Sequence, residues 1–206
     1  MSEADKARKR LFTLLTGANY AILWDNLSEL SAIYEKSRGT AEALKDTKAN
    51  DYVGKLSPKA QSMVKLFAYL GLVESLGVTL IDMVLFLLIA NGKEMHIYLG
   101  RGMKHVSTPK ELEKLDLIYK LNFLKSHELG FFGKSINRNL RNDIAHLKFS
   151  IEENGTIRDS GGREVNIDDT IAYFWDSVSE ITSIFDETKF MKLIEQGARE
   201  GGKSND

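Results

Sequence analysis

The stretch from Pro58 to Ala90 constrains this chain more than any other feature of it. Ser57-Pro58 is a helix start: a hydroxyl to cap free backbone N–H groups, then a proline where its missing N–H costs no intrahelical bond. Asn91-Gly92 marks the end. Between them, Leu76 to Ala90 is almost wholly apolar, interrupted by Gly77, Thr79 and Asp82. A membrane span needs about 20 predominantly apolar residues. This run is shorter and carries an acid, so the sequence predicts a buried central helix in a soluble fold, with no membrane partner. A helix apolar on every side must be wrapped by others.

The rest of the chain offers the wrapping. Its 206 residues, 43% apolar and 28% charged, suffice for one self-supporting core. Pro58 and Pro109 are its only prolines, which favours long helices. Leu11, Leu14, Leu15, Ala18 and Ile22, then Leu27, Leu30, Ile33 and Tyr34, predict a first helix from about Asp5 to Tyr34. The polar segment 36–56, with Gly39 and Gly54, reads as a loop with room for one short helix. Thr108-Pro109-Lys110-Glu111 is a capping box that predicts a helix to about His127 or Leu129. Another is expected over about Lys134 to Leu147. Phe149 and Ile151, the turn pair Asn154-Gly155, and Ile157 form the only convincing β signal, with Val165 and Ile167 adding a little strand. Asp168 or Asp169 should cap a last helix with Ile171, Phe174, Trp175, Val178, Ile181 and Phe185 facing inward, ended by Gly197 or Gly201-Gly202. The expectation is all-α: a helical bundle over 1–199 with a small β-hairpin inserted before the last helix, and a polar tail over 200–206.

Composition narrows the chemistry. With no cysteine, disulfides and thiolate metal sites are excluded. The lack of cysteine suits a reducing cytoplasm, and the charged start Met1-Ser2-Glu3-Ala4-Asp5-Lys6 leads into no signal-like apolar core. Net charge is −1, so any polyanion contact must be local. One segment is locally basic: Phe131 to Ser150 holds Lys134, Arg138, Arg141 and Lys148 against Asp143 alone.

On a helix, Ile136, Leu140, Ile144 and Leu147 make one apolar stripe that should face the core. Arg138, Arg141, Asn142, Ala145 and His146 spread over an opposite arc of roughly 140°. Arg138, Asn142 and His146 fall at successive i, i+4 positions, and Ala145 leaves room for close approach. Arginine offers a planar fork matched to phosphate oxygens. Histidine gives or takes a proton near neutral pH, and asparagine can orient an imidazole or hold a ribose hydroxyl. Phosphodiester chemistry fits the set, and a basic solvated face is the plainer alternative.

Arg141, then Asn142-Asp143-Ile144-Ala145, then His146 resembles the mark of the HEPN superfamily (higher eukaryotes and prokaryotes nucleotide-binding domains): Arg, four to six residues, then His, often with a polar residue directly after the Arg. The resemblance is specific over Gly133 to Phe185, and over the N-terminal half it is one of helical character. It implies a metal-independent endoribonuclease acting as a homodimer, with two motifs meeting in one cleft, no cofactor, RNA as substrate and a toxin or defence setting with an antitoxin or regulatory protein. By that resemblance Arg141 stabilises charge on the scissile phosphate and His146 performs acid/base catalysis. Asn142 positions the His or the ribose, and Arg138 and Lys148 are RNA contacts. The family also includes catalytically silent binding or dimerisation modules. HEPN toxins silenced by adenylylation carry a tyrosine two residues after the His; here that position is Lys148, after Leu147, which offers no acceptor.

Other polar residues are weighed against this site. Glu74, on the central helix, is a candidate to stand near the Arg and His, as such a residue often does in the family, and is otherwise a surface acid. Asp82 is read as a buried hydrogen-bonding group. His96, His105 and His127 show no metal spacing, and Gly100-Arg101-Gly102 is too short for a phosphate loop. Trp24, Trp175, Phe174 and Phe185 are read as core.

Overall fold

The computed structural model describes residues 2–44, 52–99, 102–190 and 192. Helix α1 (Glu3–Gly17), α2 (Tyr20–Asp25) and α3 (Leu27–Leu44) precede the central helix α4, which runs from Pro58 to Ala90 through a π-helical segment at Val73–Gly77. A hairpin follows, β1 (Met95–Leu99) paired antiparallel with β2 (Gly102–Val106). Next come α5 (Pro109–Glu113), α6 (Leu117–Ser126), α7 (Gly130–Lys134) and α8 (Arg138–Ala145). Short strands β3 (Ser150–Ile151), β4 (Ile157–Arg158) and β5 (Glu164–Val165) form an antiparallel sheet ahead of the last helix, α9 (Ile167–Glu187). The architecture is largely all-α.

The central helix is where the sequence puts it. Ser57 Oγ accepts from Ala60 N, and Pro58 opens the first turn. By length and composition α4 could cross a membrane, yet 78% of its most apolar 18-residue window is buried inside the fold. From Thr79 to Leu88 every residue is buried, Asp82 included. Burying each large apolar side chain contributes about 1.5–3 kcal/mol, so this half of α4 is the centre of the core. α9 packs on it through Phe174, whose ring lies where a Cβ on Gly77 would come within 2.8 Å of it. Only glycine admits that approach.

The expected first helix is three helices. Ala18 is extended, Asn19 Oδ1 caps α2 by accepting from Ala21 N, and Asn26 closes it. The break is fastened to the end of α4: Asn19 N donates to Ala90 O at 3.2 Å, and Asn91 Nδ2 to Leu14 O at 3.0 Å. Turning there lets Leu11, Leu14, Leu23, Leu27 and Leu30 all reach the core, which one straight rod could not do. Trp24 is left 53% exposed, against the expectation of a core residue. The expected loop over 36–56 is helical to Leu44, and Tyr52 and Val53 sit in a helical turn. Residues 45–51 lie outside the described residues.

Two further breaks and one hairpin depart from the pattern. The helix expected from Thr108 divides into α5 and α6, with Asp116 extended between them. The capping box itself forms as read, Thr108 with Glu111. The Asn154-Gly155 hairpin is present and Val165 adds a third strand, but β1 and β2 make a second hairpin that the sequence reading passed over. Gly102 opens β2, while Gly100 and Arg101 lie outside the described residues. Asn166, not Asp168 or Asp169, caps α9 by accepting from Asp169 N, and both acids lie in its first turn. Helix α9 ends at Glu187 with Thr188 as C-cap, Phe190 and Lys192 are helical again, and Gly197 and Gly201-Gly202 lie outside the described residues. The tail 200–206 lies outside the described residues.

Candidate functional site

The segment from Lys134 to Leu147 does not form one helix. α7 stops at Lys134, and α8 begins anew at Arg138. Asn137 is the reason: its Oδ1 accepts from Leu140 N at 3.0 Å, and its own backbone N–H donates to the hydroxyl of Tyr69 on α4 at 2.9 Å. Tyr69 is fully buried, and burial pushes its hydroxyl up to about 12, so it remains a neutral partner for that N–H. Arg138 is therefore the first residue of a short helix pinned to the central one.

The other end of α8 closes in a Schellman motif. Lys148 N donates to Asp143 O at 2.7 Å, and Leu147 N donates to Ile144 O at 3.1 Å. Leu147 takes the left-handed conformation, φ 54°, where glycine is usual. Leu140 and Ile144 are buried as the stripe requires, and so is Ile136 just before the helix. Leu147 is the correction: it is 69% exposed, because the helix has ended and the chain has turned.

Asp143, the one acid in the basic segment, is buried. Its Oδ2 accepts from Ser160 N at 3.0 Å and Ser160 Oγ at 2.9 Å. It thereby ties α8 to the β4–β5 loop. That role carried no signal in sequence, because Ser160 lies 17 residues away.

A cleft of about 330 Å³ forms between the α5–α6 connection, α4 and α8. Arg138, Arg141 and Asn142 line it from α8, facing Glu74 and Val78 of α4. Arg141 Nε donates to Glu74 Oε1, and Arg141 Nη1 donates to Asn142 Oδ1 at 3.0 Å. Glu74 thus stands beside the Arg, on the π segment of α4; such segments recur at functional sites. The hydrogen bond to Glu74 holds the Arg141 guanidinium above its ordinary value, with burial opposing, so it stays charged throughout the working pH range.

The structure does not bring every predicted residue into this cleft. His146 is the C-cap of α8, its backbone N–H on Asn142 O and its side chain exposed. Among the described residues nothing hydrogen-bonds its imidazole, and neither it nor Lys148 lines the cleft. Nor is the cleft as basic as its strand of sequence. Glu74, Glu113 and Asp116 balance Lys120, Arg138 and Arg141 around its wall. Glu113 and Asp116 are contributions that sequence proximity could not reveal.

From that wall Lys120 Nζ reaches inward and donates to Asp82 Oδ2 at 2.8 Å, with both residues buried. Asp82 is the buried hydrogen-bonding group the sequence suggested. Burial pushes its carboxyl up to about 6, against the lowering effect of the Lys120 charge. His96 and His105 face each other across β1 and β2 with ring centroids 5.1 Å apart, and His127 packs on Phe123. Among the described residues no three His, Asp or Glu side chains converge as metal ligands. Comparison of the chain with family models, curated proteins and solved structures finds no match.

Proposed function

We propose that this protein is a metal-independent endoribonuclease of HEPN type, and the observation that carries the reading is the joint placement of Arg138, Arg141 and Asn142 in one cleft with Glu74. Two guanidinium groups and an amide along one helical face match a phosphodiester with its ribose. In the proposed reaction the ribose 2′-oxygen attacks the adjacent phosphorus in line, losing its proton to a base. The bond from phosphorus to the 5′-oxygen breaks, and that oxygen takes a proton. The products are a 2′,3′-cyclic phosphate and a 5′-hydroxyl.

Arg141 stabilises charge on the phosphoryl oxygens, and Asn142 holds the guanidinium and contacts the ribose. His146 moves the proton. Because its imidazole points to solvent one turn beyond Asn142, a homodimer that faces two α8 ends places a partner copy's His146 at each cleft. The exposed Leu147 beside it, in a conformation unfavourable for leucine, fits a surface covered by another chain. Lys148 extends the RNA contact past the helix end. The setting proposed is cytoplasmic, as a toxin or defence protein restrained by an antitoxin or regulatory protein.

One observation favours a second reading, a catalytically silent module that binds RNA or nucleotides. Arg141 is already satisfied by Glu74 and Asn142, and the cleft of a single chain has no histidine on its wall. Incubating a mixed RNA in excess EDTA with wild type, Arg141→Ala and His146→Ala separates the two. The enzyme reading expects cleavage by wild type and a loss of about 10²-fold or more in both variants, the scale of acid/base catalysis and of a lost charge stabiliser. Salt-sensitive RNA binding that weakens in Arg141→Ala, without cleavage by any of the three, would establish the silent module instead.

A further inference from the structure

His96 and His105 are the two histidines that the fold brings together. Their separation in sequence signals nothing, yet the hairpin of β1 and β2 sets them directly opposite each other. Partners across an antiparallel pair hold their Cβ atoms about 4.5–5.5 Å apart on one face. Here both residues are exposed, with ring centroids 5.1 Å apart and ring planes inclined by 45°. The spacing is fixed from beneath, because Met95, Ile97 and Val106 beside them in the strands are buried in the core.

The fold makes no use of either ring. Among the described residues neither imidazole has a hydrogen-bond partner, and Glu94 Oε2 stands 3.8 Å from His96 Nε2. His127 differs, since its Nδ1 is engaged by Phe123 O at 2.9 Å and Ser126 Oγ at 3.0 Å. Two neutral imidazoles held this close can chelate. A metal ion about 2.0–2.1 Å from one nitrogen of each ring, its two bonds at the tetrahedral angle, holds the ring centroids roughly 5 Å apart. The observed separation already meets that requirement, so closing the chelate asks for rotation of the rings and not for movement of the strands. Imidazole suits Zn²⁺, Ni²⁺ and Cu²⁺, whereas Mg²⁺ takes oxygen ligands.

We propose that the β1–β2 hairpin carries a binding site for a divalent first-row transition-metal ion, held by His96 and His105. Glu94 adds a negative charge beside the ion, and water fills its remaining positions. Two protein nitrogens do not make the closed four-ligand shell of a structural zinc site, so the ion is exchangeable and acts as a staple between the strands. Neither histidine lines the cleft, so the site stands whether or not the cleft cleaves RNA.

The test is a calorimetric titration of the full chain, first dialysed against a chelator and then against buffer, with zinc chloride. Wild type is expected to show one saturable site that excess Mg²⁺ does not occupy, and saturating zinc should raise the melting temperature. His96→Gln and His105→Gln should each weaken binding about tenfold or more, at least the effect of losing a partner outside the ligand shell. His127→Gln should leave it unchanged. Melting of each variant without zinc checks the fold, and either of the first two variants alone keeps the test decisive if the other fails to fold. No saturable heat at millimolar zinc, binding unchanged in a folded His96→Gln or His105→Gln, or an equal loss in His127→Gln would overturn the proposal.

Discussion

Among the ion pairs that join the central helix to the helices after it, Asp82–Lys120 and Glu74–Arg141 differ in nearly everything except their chemistry. Asp82–Lys120 is sealed, its side chains 4% and 1% exposed, whereas Glu74–Arg141 is open at 42% and 29%. They begin about two turns apart on α4, and their cations, Lys120 and Arg141, both line the one cleft. In the sealed pair neither charge can find water if its partner leaves, so the bond is structural. In the open pair each can, so Arg141 can exchange Glu74 for another anion at little cost to the fold. The lesson is that site and scaffold here are told apart by access to solvent, not by residue type.

Breaking the sealed pair should have the largest effect. Lys120→Met leaves Asp82 buried without its cation and is expected to lower stability by about 3–5 kcal/mol in denaturant unfolding. The same pair has a pH signature. Burial raises the Asp82 carboxyl to about 6 from 3.8, so between these values the folded state holds more protons than the unfolded one. Its contribution therefore grows as pH falls from about 6 towards 4, and stability lessens as pH rises through that window. Wild type compared with Asp82→Asn across pH 4–7 should show that slope, opposite to the usual carboxylate trend.

Smaller effects sharpen the contrast. Gly77→Ala, at the end of the π segment that carries Glu74, presses a methyl group into Phe174 and should cost about 1–3 kcal/mol. Leu147→Gly relieves a left-handed leucine and should raise monomer stability by up to about 1 kcal/mol, while weakening self-association in sedimentation if that face is a dimer contact. Glu74→Gln should change stability by no more than about 1 kcal/mol, yet tighten RNA binding in a fluorescence titration, because Arg141 loses a competing anion. A large destabilisation by Glu74→Gln would erase the distinction between the two pairs.

Much of this was legible in sequence, and the exceptions share a cause. The central helix, the Asn154-Gly155 hairpin, the capping box and the inward face of α9 follow from local chemistry: caps, turn residues and periodicity. What periodicity could not see were the breaks. Ala18-Asn19, Asp116 and Asn137 each interrupt a sequence that reads helical, and at two of them the reason is a hydrogen bond to a distant element, Ala90 O or the Tyr69 hydroxyl. In the hairpin of β1 and β2 the cue lies on one strand only: Met95 and Ile97 are buried with His96 exposed between them, a short alternation, while Gly102, Lys104 and His105 leave β2 without one. At the site, Arg141 beside Asn142 and Glu74 was foreseeable from spacing and family resemblance. That Glu113 and Asp116 would neutralise the cleft, and that a Schellman turn would swing His146 and Leu147 outward, depended on tertiary placement.

The most direct measurement is the chemistry of the fragment ends when wild-type protein acts on RNA in excess EDTA. The account predicts 2′,3′-cyclic phosphate and 5′-hydroxyl termini, produced without metal, with a DNA strand of the same sequence left intact. Fragments bearing 3′-hydroxyl and 5′-phosphate ends, or RNA left whole at every pH near 7, would contradict it.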